Sequence, residues 1–249
     1  MTAPLPLTTA MPAFALRFVG QEALPPRLSE FDREQFFTLT SADVAAIREQ
    51  FRSDHRLPAA LMLMFMRVAG RPLDGFNMLP RTLLRHTAQV LAVSPPSIAS
   101  LRSIYKRRQT LSKHQLWAKT YLGLRELEVD DEVALTAALL AQAADASHAD
   151  DLVQAASQWL FTRRILIPGA RRLQDWARDA FAAVEAHILG AVNAAVPPAA
   201  AQKVVDAAYS ARPDTDTTHL EWLKTPSKRH GPSTLTETVD KVRYLKELG

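Results

Sequence analysis

The sequence predicts an all-α fold, on three observations. Alanine and leucine are abundant, while glycine is held to 8 of 249 residues, a balance that favours helices. No segment alternates apolar and polar residues with the period of two that marks a half-buried strand. Helix start and stop signals recur along the chain.

Taken in order, residues 1–12 read as a frayed tail. Thr40 and Asp43 form a capping box that opens a helix running to about Arg52. Residues 57–69 are almost wholly apolar and form a helix buried on most sides, with Gly70 as its stop. Pro80 suits the first turn of a helix to about Leu91. A further helix spans about 96–107, and another spans about 112–122, closed by Gly123. Asp130, Asp131 and Glu132 place acids at the positive end of an alanine-rich helix reaching about Ala146. Asp150 starts a helix ending near Arg164. Pro168 and Gly169 break the chain before a long helix over about 171–195. Pro197 and Pro198 open a helix to about Ser210. Residues 211–218 read as a linker, and short helices over 220–224 and 233–248 follow. The implied organisation is a tail (1–12), an N-terminal helical module (13–126), a second helical module (127–210), and a linker with C-terminal helices leading toward a downstream region (211–249).

Composition excludes several classes. With no cysteine, disulfides and thiolate metal sites are ruled out, and a reducing cytoplasm is compatible. No apolar run reaches the ~18 residues of a membrane span, so no membrane partner is expected. The seven histidines are scattered and show no ligand spacing, so no metal site is expected. There is no glycine-rich phosphate loop and no G-x-S-x-G. Asp54 reads as a helix cap, with His55 and Arg56 as solvated neighbours. Nothing resembles an active site.

The net charge of +4 is modest, but its distribution is not. Residues 75–125 carry nine Lys or Arg and no acid, while 126–162 carry eight acids and no Lys or Arg. Arg163, Arg164, Arg171, Arg172 and Arg178 then restore the positive sign. Segregated charge makes a field that an even mixture would cancel. Within the acid-free stretch, "HTAQVLAVSPPSIASLRSIYKRR" has helix-turn-helix spacing. Ala88 is the small residue where two helices cross, and Ala92 stands where the turn usually has glycine. Leu91, Val93, Ile98 and Leu101 are the apolar locks. Ser94 would cap the second helix, with Pro96 in its first turn. That helix would turn Ser97, Ser100 and Ser103 toward a groove, while Arg102, Lys106, Arg107 and Arg108 reach phosphates. Arg81, Arg85, Lys113, His114 and Lys119 extend the basic face. Arg163, Arg164, Arg171 and Arg172, with Lys228 and Arg229, form secondary contacts. At helical spacing Tyr105 and Trp117 read as core rather than as platforms for bases. The bland alternative for the whole stretch is an ordinary helical hairpin with a solvated basic end.

The order "FFTLTSADVAAIREQF", "DHRLPAALMLMFMRVAGRPL", "LLRHTAQVLAVSPPSIASLRSIYKRRQTLSKHQLWAKTYLGLREL", "FTRRILIPGARRLQDWARDAFAAVE" and "HLEWLKTPSKRHGPSTLTETVDKVRYLKEL" resembles the N-terminal region of Tn-three family transposases. The resemblance covers about residue 36 to the C-terminus. It departs at Arg56-Leu57-Pro58, where the family often reads N-R-L-G, and at Ala92. It implies a helical region that recognises the terminal inverted repeats of a replicative bacterial transposon. The family's catalytic part is an RNase H-like domain with an Asp, Asp, Glu metal-binding triad well downstream. The expectation is therefore double-stranded DNA as partner, together with another transposase copy. No chemistry and no cofactor are expected in this chain, with divalent metal reserved for the catalytic domain, and the expected location is the bacterial cytoplasm on the nucleoid. The competing expectation is a non-catalytic protein-interaction module that regulates transposase assembly.

Overall fold

The computed structural model describes residues 13–74, 79–212, 215–225 and 232–248. A 3-10 turn at Ala13–Leu16 is followed by α1 (Glu30–Phe36), α2 (Ser41–Gln50), α3 (Ser53–Ala69), α4 (Arg81–Leu91), α5 (Ile98–Tyr105) and α6 (Arg108–Leu122). Then come α7 (Val129–Ala143), α8 (Ala149–Thr162), α9 (Ala170–Ala195), α10 (Pro198–Tyr209), α11 (His219–Lys224) and α12 (Pro232–Leu248). Among the described residues there is no β-strand, only isolated bridges joining Arg125 to Ile165 and Ala211 to Thr218. The fold is all-α. The proposed tail at 1–12 and the candidates Lys228 and Arg229 lie outside the described residues.

Contacts divide the chain into two compact units, Met1–Val184 and Glu185–Gly249. In the first, buried apolar residues form two clusters, one from Phe18 to Ala118 and one from Leu135 to Ala180. The expected boundary at 126/127 falls in the interval between them. Both clusters nonetheless belong to one unit, and the division falls inside α9. The centre of the first cluster is α3, in which every residue from Leu57 to Met66 is buried, as its sequence predicts. A helix apolar on all sides is stable in water only when other helices cover each side, and α2, α4 and α6 do so.

The start of α3 differs from expectation. Arg52, not Asp54, is the N-cap, the helix opens at Ser53, and Pro58 lies inside it. Pro58 is the sixth residue of the helix, past its first turn, so it leaves the Asp54 carbonyl without the helical N–H donor four residues on. The preceding helix, α2, opens with the capping box read from the sequence: the Asp43 N–H donates to Thr40 Oγ1 at 3.1 Å, and the Thr40 N–H to Asp43 Oδ2 at 2.8 Å. Asp43 also receives Arg67 Nη2 at 2.6 Å and the Tyr121 hydroxyl at 3.0 Å. Burial opposes its charge, but the Arg67 guanidinium, the Thr40 N–H and Tyr121 together hold its carboxyl below the usual range. One side chain thus ties α2, α3 and α6 together.

Gly70 ends α3 at φ 71°, and its carbonyl accepts the Ile167 N–H at 2.9 Å. A Cβ there would lie 2.8 Å from Ile167 Cδ1 and from Phe161 Cδ2. Glycine is needed both for the left-handed conformation and for this close approach of the second cluster. In the C-terminal unit, described residues in and beside the expected linker are hydrogen-bonded to one another. Arg212 N–H donates to Thr217 O at 3.1 Å, and His219 N–H to Ser210 O at 3.1 Å.

Candidate nucleic-acid interface

The acid-free stretch supplies α4, α5 and α6. On α4, Leu83, Leu84, Thr87, Ala88 and Leu91 are buried, and Arg81 and Arg85, four residues apart, are exposed. The helix stops at Ala92, which takes φ 55° and ψ 47°. Ala92 N–H donates to Gln89 O and Val93 N–H to Ala88 O, a Schellman closure built on alanine rather than glycine.

The next helix starts later than expected. Ser97, not Ser94, is its N-cap, and Ser97 Oγ accepts the Ser100 N–H at 3.1 Å. The physical reason is the proline pair. The residue before a proline is pushed out of the helical region, so Pro95 cannot serve as a first helical residue ahead of Pro96. Ser94 is left exposed in the connection. The Ser97 and Ser100 hydroxyls lie 2.9 Å apart within the cap, so they bond each other at the exposed start of α5. Arg102 and Ser103 are exposed along the same helix.

Between α5 and α6 the chain leaves helical geometry at one residue. Lys106 keeps φ −60° and ψ −28°, whereas Arg107 turns to φ −86° and ψ 102°. The following helix opens at Arg108, four residues before the expected start. Lys106, Arg107, Arg108 and Lys113 are all exposed, and none has an ion pair among the described residues; the same is true of Arg81 and Arg85. Lys106 suits the negative end of α5, but Arg107 and Arg108 stand at the positive end of α6, where cations are disfavoured. Helix-dipole compensation therefore does not explain the cluster.

Other candidates are committed elsewhere. His114 is removed from the surface, being 1% exposed. It packs edge-on to Phe51 at 4.8 Å between ring centroids, and Phe51 in turn meets Trp117 at 5.0 Å. Lys119 pairs with Glu126 at 2.7 Å, and Arg125 forms a two-pronged pair with Asp131. That pair holds the Asp131 carboxyl down at about 2. Arg164 takes φ 56°, and its guanidinium donates to Leu122 O at 2.7 Å, capping α6. Arg172 pairs with Glu132 at 2.9 Å, Arg163 lies 3.9 Å over the Trp159 ring, and Arg178 pairs with Asp175 at 3.2 Å. Arg171 is exposed. The second arginine group is thus largely absorbed by pairs within the chain, while the residues at the α5–α6 junction are not.

Sequence reading missed the polar chain beneath that junction. The Tyr105 hydroxyl lies 3.0 Å from Pro58 O and 3.0 Å from His114 Nδ1, and His114 Nε2 lies 3.2 Å from His55 Nδ1. A carbonyl only accepts, so the hydroxyl proton points to Pro58. Tyr105 then accepts from His114 Nδ1–H, and the bare Nε2 accepts from His55 Nδ1–H. Burial, with repulsion of the protonated ring by His55 and Lys113 adding to it, lowers the His114 pKa to about 4 and keeps the ring neutral. Fifty-nine residues separate His55 from His114, so no local spacing signals the contact.

The family described as "Domain of unknown function (DUF4158)" matches residues 21–180. The chain is 31% identical over 231 residues to the transposase for insertion sequence element IS1071 in transposon Tn5271 of Comamonas testosteroni, covering 93% of this chain and 24% of that protein. It is 23% identical over 216 residues to the transposase for transposon Tn1546 of Enterococcus faecium, covering 85% of this chain and 21% of that protein. The chain therefore spans a quarter or less of the length of these curated relatives.

Proposed function

We propose that this chain, which belongs to the family described as Domain of unknown function (DUF4158), binds duplex DNA as part of a Tn-three-type transposition protein and recognises the transposon's terminal inverted repeats. The observation that carries the reading is the cluster of Lys106, Arg107 and Arg108 at the α5–α6 junction: consecutive, exposed, and without an ion pair among the described residues. Cations held at a helix start against the dipole find their compensation in an external anion, and a polyanion neutralises several at once. The two transposase relatives, which bear on transposition by their names, support a DNA partner over other polyanions. Phosphate contacts from Lys106, Arg107, Arg108 and Lys113, with Arg81, Arg85 and Arg102, set the register. Ser100 and Ser103 lie on the helix that approaches the bases. The role proposed for these residues is recognition, with no cutting step and no cofactor assigned to them.

The test is fluorescence anisotropy on inverted-repeat and random duplexes across a salt series. Replacing Lys106, Arg107 and Arg108 with alanine weakens binding to both duplexes and shallows the salt slope by up to ~0.9 for each phosphate no longer neutralised. Replacing Ser100 with leucine harms the inverted-repeat complex more than the random one. A triple variant with the parent's affinity and slope leaves the junction a solvated face. Incubation of the parent with transposon-end DNA and Mg²⁺ or Mn²⁺ is expected to leave the strands intact, and metal-dependent nicking would overturn the recognition-only assignment.

A second reading has its own observation. Val129 and Val133 on α7 are 78% and 66% exposed beside acidic Asp130, which suits a protein partner. In that case binding to transposase, not to DNA, would respond to Val133→Asp.

A further inference from the structure

The junction carries three consecutive cations on a hinge of one residue. Only Arg107 leaves helical geometry between α5 and α6, so the angle between the helices hangs on a single pair of soft dihedrals. Like charges on neighbouring residues repel and drive such a hinge toward a spread of geometries. A surface built to meet phosphates at fixed spacing gains affinity only if that spread is removed before binding.

The buried polar chain spans this hinge. Tyr105 is the last residue of α5, and His114 lies two turns into α6. Their hydrogen bond of 3.0 Å therefore closes a loop around Lys106, Arg107 and Arg108. Both ends are anchored on α3: Tyr105 to the Pro58 carbonyl at 3.0 Å, and His114 to His55 at 3.2 Å. Every bond in the chain has a defined donor. Reversing the middle bond gives up the hydroxyl's bond to Pro58, so the polarity in which Tyr105 donates to Pro58 keeps every bond of the chain. Tyr105 and His114 are 8% and 1% exposed, and in such a setting an unmade bond costs more than a made one contributes. The chain therefore behaves as a lock.

We propose that His55, His114 and Tyr105 are positioning residues for the basic junction: their hydrogen-bonded chain closes the Arg107 hinge and sets the spacing at which Lys106, Arg107 and Arg108 meet phosphates, an inference that rests on the DNA-binding function proposed above. None of the three touches the nucleic acid. The lock acts through the geometry of its neighbours.

The test separates the lock from the DNA reading. The chain has no cysteine, so Ser103→Cys on α5 and Leu116→Cys on α6, both exposed, accept spin labels without further changes. Pulsed dipolar spectroscopy on the free protein is expected to give one narrow distance, broadened by Tyr105→Phe and by His55→Ala. The second variant alters only the half-exposed end of the chain, so it reports even if the first is poorly folded. In unlabelled protein, held well below its melting temperature, each variant is expected to bind duplex DNA several-fold more weakly, with a salt slope shallower by up to ~0.9 for each phosphate left unneutralised. An unchanged distance distribution in both variants overturns the lock whatever the DNA result. A broadened distribution with parental DNA binding, when the triple alanine variant is impaired, shows that hinge geometry does not govern phosphate binding and also overturns it. If the triple variant binds like the parent too, the DNA reading of the junction is what has failed.

Discussion

At the residue scale, two side chains carry predictions that their neighbours in sequence do not suggest. His114 must be neutral in the fold, with its pKa lowered to about 4 against an ordinary 6.5. Between those values the unfolded chain takes up a proton that the folded chain refuses. Stability is therefore fully present above pH 6.5 and declines as pH falls toward 4, by roughly 3 kcal/mol at most. Urea unfolding of the parent and of His114→Gln at pH 7 and pH 4.5 checks this. The variant should show the smaller decline, and equal declines would mean that the ring does not titrate with folding. Ala92 holds a left-handed conformation, φ 55°, that costs a non-glycine residue about 1 kcal/mol. Ala92→Gly removes that strain but loosens the unfolded chain. A net gain of about 0.5 kcal/mol, read as a raised melting temperature, is expected. A lowered one would show that the Ala92 methyl contributes packing that outweighs the strain.

At the scale of elements, α3 and its end decide whether the first unit exists. Met64 is 1% exposed at the centre of the first cluster. Met64→Asp buries a charge without a partner and should abolish the cooperative melt seen by circular dichroism. A retained melt would mean that this helix is not enclosed. Gly70 is a gentler probe. Gly70→Ala adds a methyl at positive φ against the tips of Ile167 and Phe161. The Phe161 ring and the buried Ile167 must give way as well, so crowding adds to the backbone strain of about 1–3 kcal/mol and a loss toward the upper end is expected. The contrast between the two groups of bases belongs to this scale too. Those at the α5–α6 junction stand out because they have no ion pair among the described residues, whereas Lys119, Arg164 and Arg172 spend their charge on Glu126, on the Leu122 carbonyl and on Glu132.

At the scale of the whole molecule, burial is unequal. Both apolar clusters lie in residues up to Val184, while no residue described beyond Val184 is buried. The second unit is held instead by polar and aromatic contacts. His219 stacks on Tyr244 at 4.4 Å, Arg212 lies 4.4 Å over Trp222, and the Tyr244 hydroxyl donates to Ala207 O at 2.7 Å. Hydrogen exchange is therefore expected to be fast in α10–α12 and slowest in α3, because local opening is easy where little apolar surface is buried. Equal protection would show that the second unit draws stability from contacts not visible in its burial. The division into what sequence and structure each decide follows from range. Helix class, the Thr40–Asp43 box, the enclosed α3 and the Gly70 and Gly123 stops were all legible, because caps and apolar periodicity act over a few residues. The excess of bases over acids along 75–125 was legible for the same reason. Which bases stay free was not. Pairing of Arg164 with the end of α6, capture of His114 by His55, and absorption of Arg172 by Glu132 all depend on residues 40 or more positions apart. Only packing of the helices brings such groups within hydrogen-bond distance, so the tertiary structure alone decided that Lys119, Arg164 and Arg172 are engaged while Lys106, Arg107 and Arg108 have no ion pair among the described residues.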